Sequence, residues 1–239
     1  WLWMSSGIVT REWVAVHRKH HARCETAEDP HSPVIFGLKK VLLEGAELYQ
    51  AAARDPEVVE KYGRGTPNDW MERNVYLRHR NMGIVLMVIV DLLLFGVPGI
   101  IIIAAQMLAN PLMAAGVING LGHYTGYRNF ECPDAARNVL PWGFLVAGEE
   151  LHNNHHAFPS SAKFSIRRWE FDIGWLYITV FKSLGLARVI RVAPTPAIEP
   201  NRKHIDLETV RAVIVNRMHV LRAYTKNVMV PVFRQELAA

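Results

Sequence analysis

Residues 82–121 read MGIVLMVIVDLLLFGVPGIIIIAAQMLANPLMAAGVINGL, with Asp91 as the single charge. A helix needs roughly 20 apolar residues to cross a bilayer, and this run is nearly twice that. Gly96-Val97-Pro98-Gly99 interrupts it in the middle, where Gly and Pro punctuate a helix strongly. The pattern predicts a hairpin of two transmembrane helices, at 76–96 and 100–122. Arg73, Arg78 and Arg80 precede the first span and Arg128 follows the second. Lys and Arg favour cytoplasmic ends, so both ends of the hairpin are expected there. The alternative is a buried helical hairpin of a soluble protein, which the length of the run disfavours. Asp91 fits either a helix-packing position or a cavity wall.

Outward from the hairpin, one pattern occurs twice: His17-Arg18-Lys19-His20-His21 before it and His152-Asn153-Asn154-His155-His156 after it. Helix positions three and four residues apart share a face, so each cluster can aim three imidazoles at one spot. Neutral imidazole suits zinc, copper, iron and nickel. Six histidines exceed one tetrahedral zinc site, which points to a dinuclear centre fed from both halves of the chain. His123 stands at the end of the second span, one helical turn after Asn119, and is a further candidate ligand. His31, His79, His204 and His219 are isolated and read as ordinary surface or core histidines.

The remaining segments are read more coarsely. The 239 residues suit one large domain or two small ones, and half of them are hydrophobic. Residues 1–23 read as a helix with an apolar start and a histidine-bearing end. Glu25 to Pro33 is polar, with a turn at Asp29-Pro30-His31, and 34–54 is amphipathic and suited to a membrane surface. Tyr124 to Trp142 reads as a loop, and Trp169 to Leu184 as an interfacial helix too short to span. Pro194, Pro196 and Pro200 mark a stiff linker, 191–205. Asp206 can cap a final amphipathic helix, 206–239, with Leu207, Val210, Ile214, Met218 and Leu221 at helical spacing.

Cys24 and Cys132 form no CxxC pair, which argues against a disulfide framework or a thiolate metal site. The net charge of +5 lacks a long basic run with interleaved aromatics, which favours anionic lipid or acidic ligands over nucleic acid. A chain opening on Trp1-Leu2-Trp3-Met4 reads as a fragment of a longer protein.

The order HRKHH, apolar hairpin, Asn-x-x-x-His, HNNHH resembles the histidine-box pattern of membrane fatty acyl desaturases, in particular the acyl-CoA delta-9 branch. Asp29-Pro30-His31, Gly148-Glu149, Phe158-Pro159 and Leu184-Gly185-Leu186-Ala187 resemble that branch too, so the likeness covers about residues 10–190. It implies an all-α integral membrane protein with a transmembrane hairpin and a cytoplasmic helical cap carrying the boxes, in the inner membrane if bacterial. Residues 1–190 would be a partial desaturase domain.

The resemblance further implies two iron ions that use O2 and two electrons to introduce a cis double bond into an acyl chain. His17, His20, His21, His123, His152, His155 and His156 would be ligands, and Asn119 would hold a water on one iron. The substrate would be a fatty acyl-CoA or acyl-lipid. Electrons would come from a separate ferredoxin, rubredoxin or cytochrome b5 with its reductase, since the chain carries no redox-cofactor motif. Glu149, Glu150 and Asp29 are candidates to orient the ligating imidazoles. Trp142 and Trp169 are candidates for the acyl tunnel or for interfacial anchoring, and Arg167 and Arg168 for a CoA phosphate.

The family's first box, His-x-x-x-x-His, has no counterpart before His17. Truncation accounts for this most simply, with a degenerate relative as the other account, and the chain as given is expected to lack two ligands of a complete site. Within the same superfamily, an acyl-lipid desaturase or an alkane or fatty acid hydroxylase are alternatives. A non-catalytic membrane metal-binding protein is the alternative from another class.

Overall fold

The computed structural model describes residues 2–194 and 204–238, apart from the side chains of Met218, His219, Arg222 and Ala238. Trp1 and linker residues Pro196 and Pro200 lie outside the described residues. The chain is mostly helical and divides into two compact units, Trp1–Gly126 and Tyr127–Ala239.

The first unit contains α1 (Leu2–Ser6), α2 (Thr10–Arg23), α3 (Pro33–Phe36), α4 (Leu38–Ala53), α5 (Pro56–Tyr62), a π-helical turn at Glu72–Tyr76, α6 (Met82–Phe95) and α7 (Gly99–Asn110). Backbone from Pro111 to Leu121 continues α7 as a π-helix. Pro111 supplies no N–H to the α-helical ladder there, and such widened turns recur at functional sites.

The single helix expected over 1–23 is broken at Gly7, whose φ of 67° lies in the left-handed region and ends α1. Short α1 then packs on α6 and α7, with Gly83 so close to Trp3 that a Cβ would sit 2.6 Å from its carbonyl oxygen. Of the expected hairpin, one helix is long and apolar enough to cross a membrane, Gly99–Leu121. Only 6 % of its most apolar window is buried, unlike the core helix of a soluble protein. The other arm differs from expectation: turns at 77–81, rich in polar Arg78, His79, Arg80 and Asn81, shorten it to Met82–Phe95. At 1.5 Å per residue that arm is ~21 Å long, against a hydrocarbon core of about 30 Å.

Asp91 lies on the packing stripe of α6 with Gly83 and Met87, all three buried. Helix α7 turns back against it closely, since a Cβ on Gly99 would meet the Asp91 carbonyl oxygen at 2.5 Å.

Helix α4 crosses the π-helical segment through small residues. A Cβ on Gly45 would lie 2.7 Å from the Ala115 carbonyl oxygen, and one on Gly116 would lie 2.9 Å from that of Leu42. Small residues at a crossing let helix backbones approach and pack. This contact fixes the segment that leads into His123.

The second unit contains β1 (Trp142–Gly143), α8 (His152–Ala157), β2 (Phe171–Asp172), α9 (Ile173–Ser183), α10 (Leu207–Val215), α11 (Arg217–Tyr224), a π-helical turn at Thr225–Met229 and α12 (Val230–Ala238). The two short strands pair in parallel, Trp142 with Phe171 and Gly143 with Asp172. Asp172 caps α9 through the Trp175 N–H at 2.8 Å and also accepts from the Phe164 N–H at 2.7 Å. Asp206 caps α10 through the Thr209 N–H, where the sequence places the cap.

Candidate metal centre

In the first unit, α2 is anchored on its outer side by Arg18, which donates to the carbonyls of Tyr62 and Arg64. Its inner face carries the histidines, and they separate. His17 and His21, one turn apart, bring their Nε2 atoms within 3.2 Å. His20, about 60° around the helix from His17, instead meets His123, again with Nε2 atoms 3.2 Å apart. The three imidazoles therefore serve two positions rather than the single spot that helical spacing suggests.

Two donors about 2 Å from a shared ion lie roughly 3 Å apart when they are adjacent ligands, so both pairs have a separation suited to a metal. In the His20–His123 pair, carboxylates hold the far side of the rings. His20 Nδ1 is 2.9 and 3.1 Å from the two oxygens of Asp29, and His123 Nδ1 is 3.3 Å from Glu25 Oε1. Asp29 also accepts the N–H groups of Glu25 at 2.7 Å and His31 at 3.1 Å. Burial pushes the Asp29 carboxyl upward, but the hydrogen bond and charge of His20, with the two backbone donors, outweigh it and leave Asp29 below the ordinary carboxylate range.

The second unit repeats the arrangement on α8. All five residues His152 to His156 are buried. His152 and His156 rings are 4.4 Å apart, while His155 stands 6.3 and 6.0 Å from them and packs on Phe164. Asp134 lies 3.0 Å from His156 Nδ1, and Glu149 lies 3.5 Å from His152 Nδ1.

A six-residue helix has little stability alone, and the two asparagines of HNNHH hold it. Asn153 accepts the N–H groups of Asn129 and Phe130 at 2.7 and 2.9 Å and donates to the carbonyls of Phe130 and Ala136. Asn154 accepts from Asn129 and Asn138 side chains and donates to Glu170 and the Phe164 carbonyl. Glu170 further accepts from the Tyr127 hydroxyl at 2.8 Å and the Arg167 N–H at 2.8 Å.

Several sequence assignments shift in detail. Of the proposed orienting carboxylates, Asp29 and Glu149 face imidazoles, whereas Glu150 accepts the Leu145 and Val146 N–H groups and ties down its own loop. His31, read as an ordinary histidine, is buried with its ring 4.4 Å from that of His20. His79 and His204 are exposed. Asn119 is half-buried in π-helical backbone, where hydrogen bonds run over five residues, not the four that align it with His123. Trp142 and Trp169 are about half exposed, and the Arg167 guanidinium lies over Tyr127 and Trp169 while Arg168 is exposed. Glu25 and Asp134 went unrecognised because a loop carboxylate carries no sequence signal until the fold sets it beside a histidine. Asn153 and Asn154 had one: two amides inside a histidine cluster on a short helix need partners.

The donor set fits a metal. Imidazoles whose Nδ1 faces a carboxylate present Nε2 as the ligand atom and gain basicity, the usual outer arrangement of metal-binding histidine. The fold and these histidines define a mostly helical protein whose buried imidazole clusters suit a metal. The fatty acid desaturase family model matches residues 1–172, and the chain belongs to that family.

It is 31% identical over 191 residues to Delta-9 acyl-lipid desaturase 2 of Arabidopsis thaliana, covering 78% of this chain and 59% of the relative. It is 31% identical over 190 residues to sn-1 stearoyl-lipid 9-desaturase of Synechocystis sp., covering 78% and 57%. Against Acyl-CoA 5-desaturase AL21 of Anemone leveillei it is 31% identical over 189 residues, covering 75% and 55%. The chain thus spans less than two thirds of the length of these relatives.

Proposed function

We propose that this protein introduces a double bond into a fatty acyl chain at a histidine-held iron centre in a membrane. The observation that carries this is the His20–His123 pair, with Nε2 atoms 3.2 Å apart and the Asp29 and Glu25 carboxylates behind the rings, beside a second Nε2 pair at His17 and His21, in a chain of the desaturase family. His17, His20, His21, His123, His152, His155 and His156 would be among the ligands of two iron ions, with Asn119 placing a water on one of them. Iron there would supply O2 activation strong enough to take hydrogen from an unactivated carbon chain. The acyl chain loses two hydrogens, and with two protons and two electrons from a separate donor protein O2 leaves as two waters. His20, His123 and His152 are buried, and a centre they held would be screened from bulk water.

The membrane part of the reading rests on Gly99–Leu121. Its 23 residues fall within the range of about 17–25 that a membrane-crossing helix needs, and its apolar surface is left open. Helix α6 enters beside it as the shorter arm of a hairpin, with Arg78 and Arg80 at the cytoplasmic surface. His123 follows the end of the Gly99–Leu121 span in the chain.

Two of the relatives are named for position 9 and for lipid substrates and one for acyl-CoA. We therefore take carbon 9 of a lipid-linked chain as the target, in preference to the acyl-CoA that the sequence pattern alone implies. The test is expression of the full-length protein in a desaturase-deficient host, with double bonds located by mass spectrometry in the separated lipid and CoA pools. A new cis bond at carbon 9 in lipid acyl chains is expected. Hydroxylated chains without alkene would make the protein a hydroxylase, and an unchanged profile from iron-loaded protein would make it a non-catalytic metal binder.

A further inference from the structure

Helix α2 ends at Arg23, and the chain turns through Cys24 and Glu25 into a tight bend. The bend is pinned by Thr26 N–H to the Arg23 carbonyl at 3.0 Å, by the Thr26 hydroxyl to the same carbonyl at 2.7 Å, and by Asp29 N–H to the Thr26 carbonyl at 3.0 Å. Glu25 sits there with φ of 60°. The other left-handed positions described in this unit are all glycine, namely Gly7, Gly37, Gly65, Gly96 and Gly126. A side chain in that conformation is strained, and glycine would relieve it. Strain of this kind persists where the side chain has work that a glycine cannot do.

The structure places Glu25 Oε1 3.3 Å from Nδ1 of buried His123. The backbone N–H of Glu25 is held at 2.7 Å by Asp29 Oδ2, and the same carboxylate holds His20 Nδ1. Asp29 thus orients His20 directly and, through the Glu25 backbone, the carboxylate that faces His123. One anchor sets two imidazoles carried on separate elements, and their Nε2 atoms come out 3.2 Å apart.

We infer that Glu25 is a positioning residue for the metal centre, kept in a strained conformation so that its carboxylate fixes the tautomer and direction of His123. The inference rests on the metal reading given above. It separates stability from metal binding at one residue: the backbone at 25 favours glycine and the site favours glutamate.

The experiment is cobalt(II) titration of the full chain in detergent, read by the visible spectrum and by thermal unfolding without metal, for wild type, Glu25→Gly, Glu25→Gln, His123→Ala and His20→Ala. Glu25→Gly should unfold at the wild-type temperature or above it, yet bind cobalt at least about ten-fold more weakly, the scale of losing an outer-shell partner. Glu25→Gln, which keeps an acceptor oxygen without the charge, should fall between. In a His123→Ala background, Glu25→Gly should weaken binding no further. Unchanged affinity and spectrum in Glu25→Gly would overturn the inference, as would a fall in unfolding temperature matching the loss of metal. If His20→Ala also leaves cobalt binding intact, the metal reading itself has failed, which is a separate result from failure at Glu25.

Discussion

Asp29 and His20 face each other across 2.9 Å with both side chains shut off from solvent. The carboxylate has three partners, since the Glu25 and His31 N–H groups join His20 Nδ1 in its hydrogen bonding. Asp29→Asn keeps the shape but turns one oxygen into a donor aimed at other donors. We expect a loss of about 1–3 kcal/mol of stability and a 10–100-fold weaker affinity for metal, measured by thermal melts and cobalt titration.

Asn154 offers a test in the second unit that involves no ligand atom. Its amide satisfies four polar groups, on Asn129, Asn138, Glu170 and Phe164, the first three of them buried. Asn154→Ala strands them, at a cost of about 2–4 kcal/mol given 1–3 kcal/mol per unsatisfied group with partial relaxation. A fall in melting temperature, with protease cleavage appearing around residues 127–138, is the expected outcome.

Glycines on the crossing of α4 with the π-helical segment should respond unequally. Alanine normally stabilises a helix by about 0.5–1 kcal/mol relative to glycine. At Gly45 the added methyl would meet backbone at 2.7 Å, so Gly45→Ala should destabilise by about 1–3 kcal/mol despite that gain. At Gly120 the nearest atoms are the ends of Leu38 and Leu42 side chains at 3.3 and 3.4 Å, which can shift. Gly120→Ala should be near neutral in the same melt.

The Cys132 thiol is pushed up to about 12 by burial and by the Asp134 and Glu131 charges, with Arg128 opposing. Its native state holds the proton where the unfolded chain, ionising near 9, has lost it. The contribution to stability is therefore complete below pH 9 and declines as pH rises from 9 toward 12. Iodoacetamide at pH 8 should leave Cys132 unmodified in native protein and label it after unfolding, as read by peptide mass.

Much of this was legible in the chain. The apolar run 82–121 and the two histidine clusters are local signals, and they locate the long helix and most of the candidate ligands. The shortened first arm was harder to read, because the polar residues 78–81 sit inside a window whose average is apolar. The division of each cluster into an i, i+4 pair and a separate third histidine depends on what faces the helix. For His20 that partner is His123, which is 103 positions away. Glu25, Asp134 and Glu170 were invisible for the same reason: a carboxylate's role is set by the imidazole or amide that the fold brings to it.

Iron per chain, measured by mass spectrometry on the purified full-length protein, addresses the central claim most directly. Wild type is predicted to bind iron, His20→Ala and His155→Ala to lose it toward background, and His79→Ala and His204→Ala to keep it. Iron-free wild type, or iron retained at full level in both His20→Ala and His155→Ala, would contradict the account.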